Sequence, residues 1–197
     1  DDNGLIFPPP IAPIQVVLMP VASHKNPAIA QAVENAAEEL RKSGFRVKVD
    51  ARDLRPGQKY WDWEIKGVPL RLEIGPRDVD NGNAFAARRT GGKEPIPLDN
   101  ITEGVRKQLK LVHEELTSRS QLHVSDCIIR LESIDQEILD GHIYEVAFDG
   151  TDADAELLEK TTGLAILGDA MEDYSDDQIC LLTGKPTRRK QHLARMY

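Results

Sequence analysis

The first fifty residues alternate between apolar runs and an amphipathic stretch. Residues 15–21 (QVVLMPV) are apolar after Gln15, which is typical of a buried strand. After Pro27, apolar residues recur at three- and four-residue steps through Lys42, which predicts a helix that Gly44 ends. Residues 45–49 then alternate as a second strand. This order predicts a parallel βαβ unit with a right-handed crossover, and hence an α/β fold class.

A further helix, three strands and a second long helix follow through residue 119. The aromatic-rich residues 58–66 predict a short helix, and residues 70–74 alternate as a half-buried strand. Two edge strands are predicted at residues 84–88 and 94–97, with glycines between them. Residues 98–119 carry one apolar stripe, as a helix packed on a core does.

A second unit begins after residues 118–121. Its pattern predicts a short helix at 131–139, a strand at 144–148, a helix at 153–162, a strand at 164–167 and an acidic loop at 168–177. We therefore expect a domain over residues 11–119 and a small α/β domain over residues 120–197. The prolines within residues 1–12 predict an extended linker over residues 1–10, of the kind that joins a domain to something upstream.

Composition limits the classes of function. The 197 residues are 40% hydrophobic and 29% charged, as in a globular protein, and they include no run of about 18 apolar residues. We expect no membrane partner, no signal peptide and a cytoplasmic location, where Cys127 and Cys180 would be thiols. The net charge of −8 argues against a surface that binds nucleic acid everywhere, but residues 185–195 are locally basic.

No self-contained catalytic or metal site is visible in the sequence. His113 and Glu114 resemble the start of a zinc-protease helix, but the position of the second imidazole ligand holds Thr117. No phosphate-binding glycine loop and no serine, histidine and acid arrangement stands out. We therefore predict no catalytic residue in this chain.

Five charged side chains form the strongest candidate site. Arg71 and Glu73 project from one face of a predicted strand, Glu64 precedes that strand, and Arg77 and Asp78 follow it. Arginine can donate two hydrogen bonds to guanine O6 and N7, and a carboxylate can accept from guanine N1–H and its amino group. Single-stranded RNA exposes those edges. From the pattern alone, a surface salt-bridge cluster explains the same residues equally well.

Residues 57–78, GQKYWDWEIKGVPLRLEIGPRD, closely resemble the prolyl-tRNA synthetase family of the archaeal and eukaryotic type. Residues 11–17 (IAPIQVV), 92–94 (GKE) and 113–116 (HEEL) extend the resemblance. It implies that residues 11–119 form the class II anticodon-binding domain, a mixed five-stranded sheet flanked by helices.

The resemblance also assigns roles to individual residues. The family positions that read the two guanines of proline anticodons fall here on Glu64, Arg71, Arg77, Asp78 and Lys93. We expect one guanine to contact Arg71 with Glu64 and its neighbour to contact Arg77 with Asp78. Lys93 is expected to contact a base or a phosphate. Glu73 is left with a structural role.

The resemblance implies that the catalytic core lies upstream, so that this fragment alone does not activate proline. The full enzyme would use ATP and magnesium to form prolyl-adenylate, transfer proline to its tRNA, and act as a homodimer. Its terminal tyrosine carboxylate would point toward the catalytic domain, and Tyr197 stands at that position.

Residues 120–197 resemble the family's additional C-terminal domain, where four cysteines often hold zinc. The corresponding positions here are Asp149, Asp154, Cys180 and Thr183. One thiolate and two carboxylates make a poor structural zinc site, since such sites normally have four nitrogen or sulfur ligands. We predict no zinc and no other cofactor in this chain.

Two other functions remain open. The same fold could serve as a protein-binding or dimerisation module that does not read RNA, in which case loss of Arg71 and Glu64 would be tolerated. A small-molecule enzyme on a parallel sheet is disfavoured, because the sequence shows no nucleophile, phosphate loop or metal set.

Overall fold

The computed structural model describes residues 1–21 and 26–196 of the chain. The chain forms two compact units, Asp1–Arg119 and Ser120–Tyr197. Tyr197, whose carboxylate was expected to point toward the catalytic domain, lies outside the described residues. Within residues 1–21 and 26–196, no helix has both the length and the apolar character that crossing a membrane requires.

The first unit contains one mixed sheet. Its strands are β1 (Val16–Pro20), β2 (Val47–Val49), β3 (Leu70–Ile74), β4 (Asn83–Arg88) and β5 (Lys93–Pro97), in the order β2-β1-β3-β4-β5. β1 lies parallel to β2 and β3, whereas β4 lies antiparallel to β3 and β5. The α/β class and the mixed five-stranded sheet are thereby confirmed. The prediction that residues 84–88 form an edge strand is wrong, because the glycine turn places β5 on the outer side of β4.

Four helices accompany this sheet, and a 3-10 turn at Leu98–Asn100 precedes the last. They are α1 (Pro27–Lys42), α2 (Pro56–Ile65), α3 (Pro76–Asp80) and α4 (Ile101–Cys127). The Asn26 side chain caps α1 by accepting from the Ala28 N–H at 2.9 Å. The five-residue α3 was not predicted, because it is too short to show a helical period. α4 continues eight residues beyond the predicted end at residue 119.

The two faces of the sheet have different neighbours. Leu70, Leu72 and Ile74 of β3 join a core with apolar residues of α1 and α4. On the opposite face, Trp63 of α2 packs with Val17 of β1. Because side chains alternate along a strand, Arg71 and Glu73 lie on the α2 face.

The predicted linker is hydrogen-bonded to the first unit. The Leu5 N–H donates to the Ile65 carbonyl at 3.0 Å, and the Phe7 N–H donates to the Gly67 carbonyl at 3.2 Å. A Cβ added to Gly67 would lie 2.8 Å from the Leu5 backbone, so a glycine is needed for this approach. Residues 5–7 therefore lie along the end of α2.

The second unit is a small α/β unit. Its elements are β6 (Ile128–Arg130), β7 (Ile143–Ala147), α5 (Asp152–Thr162), β8 (Ala165–Asp169), β9 (Gln178–Ile179), β10 (Pro186–Thr187) and β11 (Lys190–Ala194). Four strands form a sheet in the order β6-β7-β11-β8, and β9 pairs with β10. The strand predicted at 164–167 lies at β8, which extends through Asp169 and so includes the first two residues of the acidic loop predicted at 168–177.

The helix predicted at residues 131–139 is wrong. That stretch has no helix or strand and contains turns. Leu131 is buried in the core of the second unit, and the Leu139 N–H donates to the Tyr144 hydroxyl at 2.7 Å. These contacts fix the segment against β7, so tertiary packing overrides the helical spacing of its leucines.

Two glycines of the first unit allow a matched test of whether a positive φ requires glycine. Gly44 follows α1 with φ +86°, and no atom lies within 4 Å of an added Cβ. Gly57 lies in α2, also in open space and without a positive φ. We expect Gly44→Ala to lower the free energy of unfolding by about 1 kcal/mol and Gly57→Ala to raise it by about 0.5 kcal/mol. Urea unfolding of both variants measures this, and equal effects would contradict it.

Candidate nucleic-acid interface

The α2 face of the sheet is only partly covered. α2 packs over β1 through Trp63, while Phe85 of β4 and Lys93 of β5 remain exposed on the same face. The register aligns Glu73 with Phe85, and Ala87 with both Arg71 and Lys93. The uncovered part of β3, β4 and β5 therefore brings two predicted site residues and an aromatic ring together. We call this region the open sheet face.

A continuous chain of ion pairs crosses the open sheet face. Arg71 Nη1 donates to Glu64 Oε1 at 3.0 Å, and Arg71 Nε donates to Glu73 Oε1 at 3.1 Å. Lys93 Nζ donates to the other oxygen, Glu73 Oε2, at 2.7 Å. Glu73 is only 6% exposed and links the two cations. The structure thus unites Glu64, Arg71 and Lys93 through a residue that was expected to be structural.

Tyr60 supports this chain from α2. The Arg71 guanidinium carbon lies 4.0 Å from the centre of the Tyr60 ring, a cation–π contact. Burial, followed by the hydrogen bond to Glu73, raises the pKa of Tyr60 to about 12. Tyr60 was not among the predicted site residues. Its place four residues before Glu64, one helical turn away, is the sequence signal that could have identified it.

Opposing effects act on the pKa of Glu73. Burial raises it, but the hydrogen bonds from Lys93 and Tyr60 and the charges of Lys93 and Arg71 outweigh burial. The pKa of this carboxyl therefore lies below its usual value, and Glu73 is ionised at neutral pH. Its charge neutralises part of the positive charge of its two partners, which remain available to a ligand.

The cluster retains unused hydrogen-bonding capacity. The Glu64 and Lys93 side chains are 40% and 48% exposed, whereas the Arg71 side chain is 16% exposed. Among the residues that the structure describes, no acceptor faces Arg71 Nη2. A guanidinium donor beside a carboxylate acceptor matches the donor and acceptor pattern of a guanine edge. In the free protein the same groups also form the salt-bridge cluster that the sequence left open.

Arg77 and Asp78 form a separate group on α3. Asp78 Oδ2 accepts from the Gly75 N–H at 2.7 Å, so this carboxylate caps its own helix. Arg77 is exposed, and within residues 1–21 and 26–196 it has no ion-pair partner. No hydrogen bond or ion pair between described residues connects either side chain to the Arg71 cluster. The five predicted residues thus form two groups, one around Arg71 and one on α3.

The four residues at the positions that the resemblance compares with zinc ligands make other contacts. Cys180 is buried, and its Sγ accepts from the Asp149 N–H at 3.4 Å. Burial raises the pKa of this thiol, and hydrogen bonds from Thr183 and the Asp149 backbone outweigh it, giving a lowered pKa. Asp154 Oδ2 instead accepts from the Thr151 N–H and hydroxyl at 2.8 Å and caps α5.

These residues do not fit a structural zinc ion. The Asp154 carboxylate is engaged at the helix start, and the Asp149 side chain is exposed near Arg189. Across the part of the chain that the structure describes, no three His, Cys, Asp or Glu side chains are grouped as metal ligands would be. Hydrogen bonds to Cys180 and the cap of α5 hold the local backbone instead. The absence of bound zinc stays a prediction.

Comparison with known proteins bears on this geometry. Residues 15–108 match the family model of the anticodon binding domain, and that range contains all five predicted site residues. Over 94% of its length the chain is 38% identical to a proline–tRNA ligase of Methanocorpusculum labreanum. The chain belongs to the prolyl-tRNA synthetase family. Over 100% of its length it is also 40% identical to a proline–tRNA ligase of Methanosarcina mazei.

The solved structure of Giardia lamblia prolyl-tRNA synthetase in complex with prolyl-adenylate has the same fold. The TM-score is 0.87 at 26% sequence identity, over 100% of this chain and 46% of that one. The present chain spans 40% of the Methanocorpusculum ligase and 42% of the Methanosarcina ligase. It corresponds to part of the longer members of the family.

Glu73→Gln tests the central carboxylate. We expect this change to lower the free energy of unfolding at pH 7 by about 1–3 kcal/mol, because Arg71 and Lys93 lose a charged acceptor. A lowered folded-state pKa means that the stabilisation is present above the unfolded-state pKa of about 4.3 and is lost as the pH falls through the folded value. Urea titrations of both proteins from pH 7 to pH 3 measure this difference. A difference that does not become smaller as the pH falls would contradict the assignment.

Proposed function

We propose that the first unit recognises the anticodon of proline tRNA as part of a proline–tRNA ligase. The observation that supports this most directly is the chain of Glu64, Arg71, Glu73 and Lys93 on the open sheet face, inside the residues that match an anticodon-binding family. Ion pairs to the mostly buried Arg71 and Glu73 hold these side chains in place before RNA arrives, which lowers the cost of ordering them on binding.

One guanine is assigned to Arg71 and Glu64. The Arg71 side chain is held between the Tyr60 ring and two carboxylates, so its remaining donors have a fixed direction. Half-exposed Glu64 can accept from guanine N1–H and its amino group. An adenine presents a donor where guanine presents O6, so it would leave this site with an unmatched pair of groups.

The neighbouring guanine is assigned to Arg77 and Asp78. Arg77 is exposed, and only one oxygen of Asp78 is used by the Gly75 cap. The second oxygen remains available to accept from a base edge. Lys93 supplies positive charge to a base or phosphate on the other side of Glu73. Single-stranded loops expose their bases in the way this surface requires.

The remainder of the activity belongs to the longer protein. We propose that a catalytic core outside these residues uses ATP and magnesium to form prolyl-adenylate, and that the complete enzyme is a cytoplasmic homodimer. The names of the Methanocorpusculum and Methanosarcina relatives, proline–tRNA ligase, support this. Residues 1–197 alone are expected to bind tRNA without activating proline.

Arg71→Ala tests the guanine site. Binding of a proline anticodon stem-loop should weaken by about 1–3 kcal/mol, and the preference for guanine over adenine at one anticodon position should fall. Fluorescence anisotropy with the natural stem-loop and with guanine-to-adenine variants measures both. Arg106→Ala is a matched control, because Arg106 is an exposed arginine of α4. Equal binding of all stem-loops by the unchanged protein would favour a module that does not read RNA.

Lys93→Ala distinguishes a phosphate contact from a base contact. If Lys93 contacts a phosphate, the slope of log affinity against log salt should become less steep by about 0.7, the value for one phosphate of a single strand. Anisotropy titrations from 50 to 300 mM KCl, with about five salt concentrations, provide the slope. An unchanged slope combined with a changed base preference would assign Lys93 to a base.

A further inference from the structure

A cavity of about 500 Å³ lies in the first unit, beyond the residues assigned to RNA. Met19 and Pro20 at the end of β1 form one side, and residues 51–54, which follow β2, form another. Lys59 and Tyr60 of α2 complete it. The carboxyl ends of parallel strands are the usual ligand-binding edge of an α/β sheet, and this volume suits a small organic molecule.

Lys59 distinguishes this cavity from an apolar cleft. The residue is only 5% exposed, and its Nζ donates to the Asp50 carbonyl at 3.1 Å. Among residues 1–21 and 26–196, no carboxylate lies within 4.0 Å of this ammonium. A buried cation that lacks a counter-ion is costly, because burial removes its hydration. A ligand anion in the cavity would give this ammonium a direct ionic partner and further acceptors.

Among the residues that the structure describes, the other charged side chains around the cavity are ion-paired or exposed. Arg52 pairs with Asp50 at 2.7 Å and with Asp62 at 2.8 Å. These hydrogen bonds from Arg52 hold the pKa of Asp50 well below its usual range, so this carboxylate stays ionised and paired. Asp53 also lines the cavity but is exposed to solvent, where screening weakens its repulsion of an anion. Lys59 is therefore the buried cation of this cavity for which no ion pair with a described carboxylate is formed.

The remaining walls are mostly apolar. Met19, Val21, Ala30 and Leu54 contribute hydrocarbon surface. We propose that this cavity binds a small organic anion, a carboxylate or phosphate monoester with an aromatic or branched apolar body, whose charged group lies at Lys59. The apolar body would contact Met19, which is already buried, and would cover Leu54, which is 36% exposed and would gain from burial on binding.

Tyr60 connects this cavity to the open sheet face. Its side chain lines the cavity, and its ring also lies under Arg71. A ligand would thus contact a residue that supports the RNA-reading arginine. The binding site itself depends on Lys59 and the cavity walls, so it can be tested without RNA and independently of the proposed function.

The methionines of this chain provide a specific readout. Of its three methionines, Met19 lines the cavity and is 1% exposed, whereas Met171 and Met196 are 104% and 70% exposed. Protein labelled with [methyl-13C]methionine is titrated by NMR with benzoate, phenyl phosphate and neutral benzyl alcohol. We expect either anion to shift the Met19 signal while the other two methyl signals stay in place. Benzyl alcohol should bind at least about tenfold more weakly, since it lacks the charge.

Lys59→Leu removes the charge, and Lys48→Leu is the matched control because Lys48 is an exposed lysine of β2. Affinity for the anions should fall at least about tenfold in Lys59→Leu and stay unchanged in Lys48→Leu. The tighter of the two anions identifies a carboxylate or a phosphate ligand. A Met19 signal that no probe moves, equal binding of benzyl alcohol, or unchanged affinity in Lys59→Leu would each overturn the proposal. If Lys59→Leu does not fold, the comparison of charged and neutral probes on the unchanged protein decides.

Discussion

Glu73 holds a negative charge at the buried side of the open sheet face, and the functional surface is organised around it. Removing a carboxylate from water is costly, and this cost is offset here by two cations from different parts of the chain. Arg71 comes from the same strand, whereas Lys93 arrives through the β4–β5 hairpin. The carboxylate therefore fixes the spacing between the guanidinium and the ammonium before any ligand binds. Tyr60 restricts the same arginine from the helix side.

Local pattern predicts part of this arrangement. The alternation in residues 70–74 placed Arg71 and Glu73 on one face, and the resemblance identified Glu64 and Lys93. The linking role of Glu73 depends on the hairpin register, which aligns Ala87 with both Arg71 and Lys93. Strand alternation does not reveal how β3, β4 and β5 are aligned with one another. The sequence therefore does not show that Glu73 links Arg71 to Lys93. Sequence reasoning also grouped Arg77 and Asp78 with the others because they are close along the chain.

The second unit shows a different limit. Its strand at β7 and helix at α5 follow from periodicity, but residues 131–139 have helical spacing and no helix. Leu131 is buried in a core that includes residues of β7, and this contact between residues distant in sequence outweighs the local helical spacing. At the positions that the resemblance compares with zinc ligands, a helix cap at Asp154 and hydrogen bonds to Cys180 hold the backbone. Sequence identified the loss of ligands, whereas only the structure identified what the replacement residues contact.

The hydrogen bonds of Leu5 and Phe7 give the first unit a mechanical property. Both bonds end on the backbone of residues 65–67, immediately after Glu64. Arg89 adds a second attachment, since its Nη2 lies 2.6 Å from Asp1 Oδ1. A displacement of the amino-terminal segment is therefore transmitted to the backbone at the end of α2 and to Arg89, just after β4. Because these contacts hold the segment at two places, its motion is mechanically coupled to the backbone beside the open sheet face.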